Sequence, residues 1–145
     1  MSIFEMQFKP RWSDLDPNLH LRHSAYNDHA TQVRFTFLEN NGFSQDQFIK
    51  RNIGAVLFRE ETTFRKEIGM SDPFTIDFEV VELSRTGKRW RFAHNFWLDN
   101  EEGNKRVKAA TVTVEGSWIN LETRKFTSPP PELLSLFQHI TEQSD

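Results

Sequence analysis

Arg11-Trp12-Ser13-Asp14-Leu15-Asp16-Pro17-Asn18-Leu19-His20-Leu21-Arg22-His23-Ser24-Ala25-Tyr26 is the stretch on which the fold turns, because a loop gives way to a helix inside it. Ser13 to Asn18 is rich in Asp, Pro and Asn, residues that close turns through their own side chains or a fixed φ. Ser24 then reads as an N-cap. Tyr26, Ala30, Val33 and Phe37 follow at steps of four, three and four, one face of a helix. Asn40, Asn41 and Gly42 supply the stop, the glycine tolerating positive φ. Such a helix spans roughly 25 Å at 1.5 Å per residue. Phe35 and Leu38 lie on its other faces, so it is expected to be enclosed on more than one side.

Outward from this helix the pattern changes period. Upstream, Phe4, Met6 and Phe8 alternate with Glu5 and Gln7, a strand ending near Pro10. Downstream, a short helical turn over Ser44 to Arg51 leads into strands. Val56, Phe58, Thr62 and Phe64 share one parity in the first. Phe74, Ile76, Phe78 and Val80 share one in the second, and Trp90, Phe92, Phe96 and Leu98 in the third. A fourth, from about Lys105 to Trp118, is rich in Val, Thr and Ala. Arg85-Thr86-Gly87-Lys88 and Asp99-Asn100-Glu101-Glu102-Gly103 read as hairpin turns. Pro131 opens a last helix with Leu133, Phe137 and Ile140 on one stripe. Strand, long helix, then antiparallel strands is an α+β order with a helix on one face of a curved sheet. The remaining sheet edge and face need cover, which favours self-association.

The 145 residues suffice for one domain, taken as 1–145, and too few remain for two. Fourteen phenylalanines and four tryptophans must carry much of the burial, and Tyr26 is the one tyrosine. A net charge of −3, from 18 basic and 21 acidic residues, offers no global attraction for nucleic acid or anionic membrane. Cysteine is absent, which removes disulfides, zinc–thiolate sites and thiol nucleophiles and fits a reducing compartment. No apolar run is long enough to span a bilayer, and Met1 to Lys9 has no signal-peptide core, so a cytoplasmic location is expected.

The opening stretch resembles the motif of the 4-hydroxybenzoyl-CoA thioesterase-like proteins of the hot-dog fold. That family shows an aromatic, a D-x-D, a two-residue spacer, a Gly-His-Val or similar, then a tyrosine beginning the central helix. The likeness continues through Arg34, Gly54 before the second strand, Ser71-Asp72 before the third, and Pro131-Glu132-Leu133. It implies a long helix wrapped by about five antiparallel strands, and a dimer or tetramer with acyl-CoA, or an acyl-carrier thioester, at the subunit interface. It places the catalytic carboxylate at Asp16, a helping histidine at His23, and a carbonyl-polarising amide also at His23. Basic residues of the family's hairpin contact CoA phosphates, often from the neighbouring subunit; Lys88 matches best, with Arg85 and Arg89 beside it. The implied activity is acyl-CoA thioester hydrolysis, with CoA as part of the substrate and no further cofactor. Two positions depart from the pattern: Leu19 replaces the usual glycine, and Thr31 stands where a glutamate is frequent.

The residues themselves allow this chemistry. A loop carboxylate can activate water or attack the carbonyl directly, and both routes stay open. The helix N-terminus supplies unpaired N–H groups and a positive dipole end for a developing oxyanion. Lys88, Arg85 and Arg89 suit phosphate by charge and hydrogen bonding. The plainer readings stand alongside. Asp16 is also what a turn uses to bond its own amides, as is Asp14; His23 also suits a helix surface, and Tyr26 suits core packing with a bonded hydroxyl. His20, His23 and His29 do not share a helical face, so no metal site is expected. No Gly-x-Ser-x-Gly elbow supports a serine hydrolase. Two other functions share the fold: a non-catalytic acyl-CoA-binding module, and an enoyl-thioester hydratase, whose Asp–His spacing is not met by Asp14 or Asp16 with His20.

Overall fold

The computed structural model describes residues 4–99 and 105–143. The second expected hairpin turn, from Asp99 to Gly103, therefore falls almost wholly outside the described residues. In chain order the elements are β1 (Phe4–Phe8), α1 (His23–Asn40), α2 (Gln45–Lys50), β2 (Ile53–Phe64), β3 (Phe74–Leu83), β4 (Arg89–Leu98), β5 (Val107–Asn120), β6 (Phe126–Thr127) and α3 (Pro131–Gln143). A single 3-10 turn, Trp12–Asp14, precedes α1. The sheet is antiparallel in the order β1-β3-β4-β5-β2, with the two-residue β6 pairing the end of β5. This is the α+β hot-dog arrangement, a long helix held against a curved sheet.

The strand parities explain what holds α1 down. Phe74, Ile76 and Phe78 of β3, Phe92 and Phe96 of β4, and Val112 and Val114 of β5 are buried on the helix side. Ala25, Tyr26, Ala30, Val33 and Phe37 of α1 meet them, the small alanines letting the helix approach. Ring contacts set the depth: Phe37 lies 4.9 Å from Phe78 and Tyr26 5.0 Å from Phe96, centroid to centroid. Each fully buried side chain of this size contributes roughly 1.5–3 kcal/mol. At the sheet's other end α3 closes the core, Phe137 packing on Phe92 and Trp118.

Three local expectations change. The helix begins at His23 with Arg22 as N-cap, so Ser24 sits in its first turn and caps nothing. A β-bulge between Leu57 and Arg59 breaks the expected alternation in β2: Val56 pairs with Ser117 on one sheet face, Thr62 with Val112 on the other. An extra residue in one strand shifts every side chain beyond it to the opposite face. Leu38 is buried as expected, but Phe35 is 60% exposed, so this chain does not enclose α1 on that side. Among the described residues no strand pairs the outer edge of β2, where Leu57, Phe58 and Phe64 are also exposed. No described helix is long and apolar enough to cross a membrane.

Candidate active site

The loop ahead of α1 is a closed structure. Leu15 and Leu21 form a β-bridge across it, and His20 bridges to Gly69 of the β2–β3 connection. The Asp16 amide donates to the His20 carbonyl at 2.9 Å. Asp16 Oδ1 accepts from the amides of Asn18 at 2.9 Å and His20 at 3.2 Å. The turn reading of Asp16 is thus correct for one oxygen. Oδ2 has no hydrogen-bond partner among the described residues, and the side chain lines a cavity of about 370 Å³.

His23 and Tyr26 line the same cavity, from the first and second turns of α1. No side chain caps the N-terminus of α1, which leaves its first amides to whatever occupies the cleft. His23 is exposed. Tyr26 is 3% exposed, its ring edge-on to Phe64 at 5.1 Å. Burial, with the nearby charges of Asp16 and Glu67, pushes its hydroxyl up to about 12, so it stays protonated and able to donate. His20, Arg65, Lys66 and Glu67 are among its other lining residues, with His20 Nε2 3.3 Å from Glu67 Oε2. In the sequence His20 stands out only as a metal ligand or hydratase histidine, and Arg65, Lys66 and Glu67 carry no local signal that would have selected them; the His20–Gly69 bridge brings the two loops together only in the folded chain.

Asp14 has a different task. It is 1% exposed and accepts from the Arg11 backbone N–H, Nε and Nη2 at 2.9, 3.1 and 3.0 Å. Its Oδ2 also lies 3.2 Å from His29 Nε2. Burial opposes ionisation, but the Arg11 hydrogen bonds outweigh it and, with His29, hold the carboxyl down at about 2. His29 packs on Phe8 and Phe74, so the three histidines do not converge.

The basic hairpin is elsewhere. Arg89 pairs with Ser117 and Ser117 with Val56, eight residues along β2 from Phe64 at the Asp16 cavity. At 3.3 Å per residue this is roughly 25 Å. One chain therefore does not bring Arg85, Lys88 and Arg89 to Asp16. Arg85, Lys88 and Arg89 are exposed on a well-anchored turn: Trp118 Nε1 donates to the Gly87 carbonyl at 3.1 Å, and a Cβ at Gly87 would lie 2.7 Å from Leu134. Arg89 stacks over Phe58 at 5.3 Å, while Arg91 is engaged by Glu82 and Glu115.

Beneath α1, Arg34 donates to His94 Nε2 at 3.1 Å and to Thr31 Oγ1 at 3.0 Å. Thr31, the residue found in place of the family's glutamate, thus serves as an acceptor. With Nε2 accepting, His94 Nδ1–H donates to the Asp77 carbonyl at 2.9 Å, the tautomer its partners require. Complete burial and the Arg34 charge push this imidazole down to about 3; burial also lowers Arg34, to about 10.

A model of the thioesterase-like superfamily matches residues 10–137. No curated protein matches the sequence. Among solved structures, a hypothetical protein from Staphylococcus aureus in complex with CoA aligns with a TM-score of 0.86 at 21% identity, over 96% of this chain and 84% of that one. DHNA-CoA thioesterase from Staphylococcus aureus aligns at 0.79 and 18% identity, over 97% and 94%. The 1,4-dihydroxy-2-naphthoyl-CoA thioesterase from Synechocystis aligns at 0.73 and 14%, over 95% and 94%. At these identities the likeness is one of fold.

Proposed function

The chain belongs to the thioesterase-like superfamily, and from that premise we propose that it hydrolyses an acyl thioester, CoA-linked or carrier-linked, with Asp16 as the working carboxylate. The observation that carries this reading is that Asp16 and the uncapped N-terminus of α1 line one cavity. A thioester carbonyl at the His23 and Ser24 amides would be polarised where negative charge develops, an effect worth roughly 3–4 kcal/mol. Asp16, oriented through Oδ1 by two loop amides, keeps Oδ2 for the proton of an attacking water or for the carbon itself. In the first route the water oxygen adds to the carbonyl carbon and the C–S bond breaks. In the second the Asp16 oxygen adds, the C–S bond breaks to leave an acyl–Asp16 anhydride, and water then cleaves it to the free acid. In both the departing thiolate takes up a proton. His23 at the cavity mouth is assigned to proton transfer.

The site needs a second copy. β2 offers an unpaired edge flanked by Phe35, Leu57, Phe58 and Phe64, all exposed. A two-fold pair through one shared edge is necessarily antiparallel, so the β2 start of one copy lies beside the β2 end of the other. That brings the partner's hairpin to the Asp16 end, and Lys88, Arg85 and Arg89 to a bound CoA.

The test is thiol release from a panel of acyl-CoAs. Asp16→Asn is expected to lose roughly 100-fold or more; equal rates in wild type and variant would end the proposal. A second reading, a non-catalytic acyl-CoA-binding module, draws on the engagement of Oδ1 by its own loop; ligand binding without thiol release would establish it.

A further inference from the structure

Two turns meet at the end of the sheet that carries the basic hairpin, and only one of them enters the chemistry above. The other is the β5–β6 turn. There Asn120 accepts from the amides of Glu122 and Thr123 through its side-chain oxygen, both at 2.9 Å, and from Arg124 through its carbonyl at 2.7 Å. Arg124 sits at a φ of 63°, the left-handed position that glycine commonly fills in the longer hairpin loops. Strain of this kind gathers at functional sites. Lys125 follows, then Phe126, which is 52% exposed.

The register sets the two turns side by side. Arg89 lies opposite Ser117, Phe126 opposite Ile119, and the Asn120 amide donates to the Lys125 carbonyl. β6 thus continues the line of β4 along β5, and Lys125 is three residue steps from Arg89, roughly 10 Å. Phe58 joins them: its ring meets Phe126 edge-on at 5.3 Å and carries the Arg89 guanidinium at 5.3 Å. Arg85, Lys88, Arg89, Arg124 and Lys125 are all exposed, and among the described residues none of the five forms an ion pair. Glu122 is the one carboxylate in the two turns. In a chain of net charge −3 this is a local excess of positive charge around an aromatic pair. Free CoA needs cations only at its phosphates. Cations spread over two turns, with rings between them, match a protein face whose carboxylates meet the cations and whose apolar side chains meet the rings. We propose that this surface docks a carrier protein with an acidic face, which presents its pantetheine-linked acyl thioester for cleavage at Asp16. The proposal rests on the hydrolase reading and names the partner that brings the substrate.

The test compares octanoyl-carrier protein with octanoyl-CoA, on wild type and on the double variant R124E/K125E. We expect kcat/KM for the carrier substrate to fall roughly tenfold, because two reversed charges now repel the partner. The value for octanoyl-CoA should stay within about twofold, since an exposed charge about 10 Å from Arg89 is screened at physiological salt. Arg124→Gly relieves the backbone, so it should raise the unfolding midpoint and still lower carrier turnover. An unchanged carrier rate, or an equal fall for both substrates, overturns the proposal. So does a wild type that cleaves octanoyl-CoA and ignores the carrier, which leaves the hydrolase reading standing. Should neither substrate release thiol, the hydrolase reading fails separately, and fluorescence anisotropy of labelled holo-carrier protein decides the surface. Binding that weakens in R124E/K125E and at high salt upholds it; no binding, or capture of a single-stranded oligonucleotide in the carrier's place, removes it.

Discussion

Leu19 donates its amide to the carbonyl of Asp16 at 2.9 Å while sitting at a φ of 61°, so a leucine in the left-handed region closes the turn that carries the candidate carboxylate. The family motif has glycine there, and the backbone retains the glycine-like conformation although the side chain has changed. The side chain is 50% exposed and so recovers little by burial.

Leu19→Gly is therefore expected to stabilise the protein. Relief of the left-handed strain is worth roughly 1–2 kcal/mol, offset by about 0.5–1 kcal/mol of extra chain entropy, leaving about 0.5–1 kcal/mol in favour of glycine. Leu19→Val should destabilise instead, since a β-branched residue tolerates positive φ worst. Urea unfolding of the two variants reads this directly; the opposite order would show that the strain is not there.

Asp14 and Asp16, two residues apart, are expected to fail differently. Asp14→Asn removes the charge that Arg11 and His29 surround and should lower stability by roughly 1–3 kcal/mol. Asp16→Asn keeps an oxygen for the Asn18 and His20 amides, so its unfolding midpoint should barely move while thiol release collapses. A large stability loss at Asp16 with activity intact would reverse the two assignments.

Lys88→Ala should raise KM for CoA esters several-fold and leave kcat nearly unchanged, because a phosphate contact made equally in ground and transition states is uniform binding. Raised salt should shrink the difference. The same substitution assayed with a truncated pantetheine thioester, which lacks the nucleotide, is expected to have no effect; an equal loss there would take Lys88 out of phosphate recognition.

His94 predicts an acid sensitivity. Its imidazole is neutral when folded, down to about pH 3, and takes a proton near pH 6.5 when unfolded. The unfolded state thus binds more protons between these values, and stability falls as pH drops through the window. This one group contributes a slope of roughly 1.4 kcal/mol per pH unit below the unfolded value. Unfolding free energies at pH 7, 6 and 5 should fall less steeply in His94→Gln, even if that variant starts lower. Parallel slopes would place the sensitivity elsewhere.

Much of this was legible without coordinates. The 3.6 period from Tyr26 to Phe37 defined a buried helix, the strand parities of Phe74–Val80 and Trp90–Leu98 defined its bed, and the Asp-Pro-Asn composition defined the turn before it, while Asp16 was singled out from that turn only by the resemblance of the whole motif to a family. These are local patterns, set by side-chain periodicity and turn chemistry within a few residues. Tertiary structure alone decided the rest. It turned β2 over at the bulge, since a one-residue insertion leaves no mark on hydrophobicity. It brought Glu67 beside His20, a pairing of two loops nearly fifty residues apart in the chain. It set the Lys88 hairpin roughly 25 Å along the sheet from Asp16, because strand register, not spacing in the chain, measures distance across a sheet.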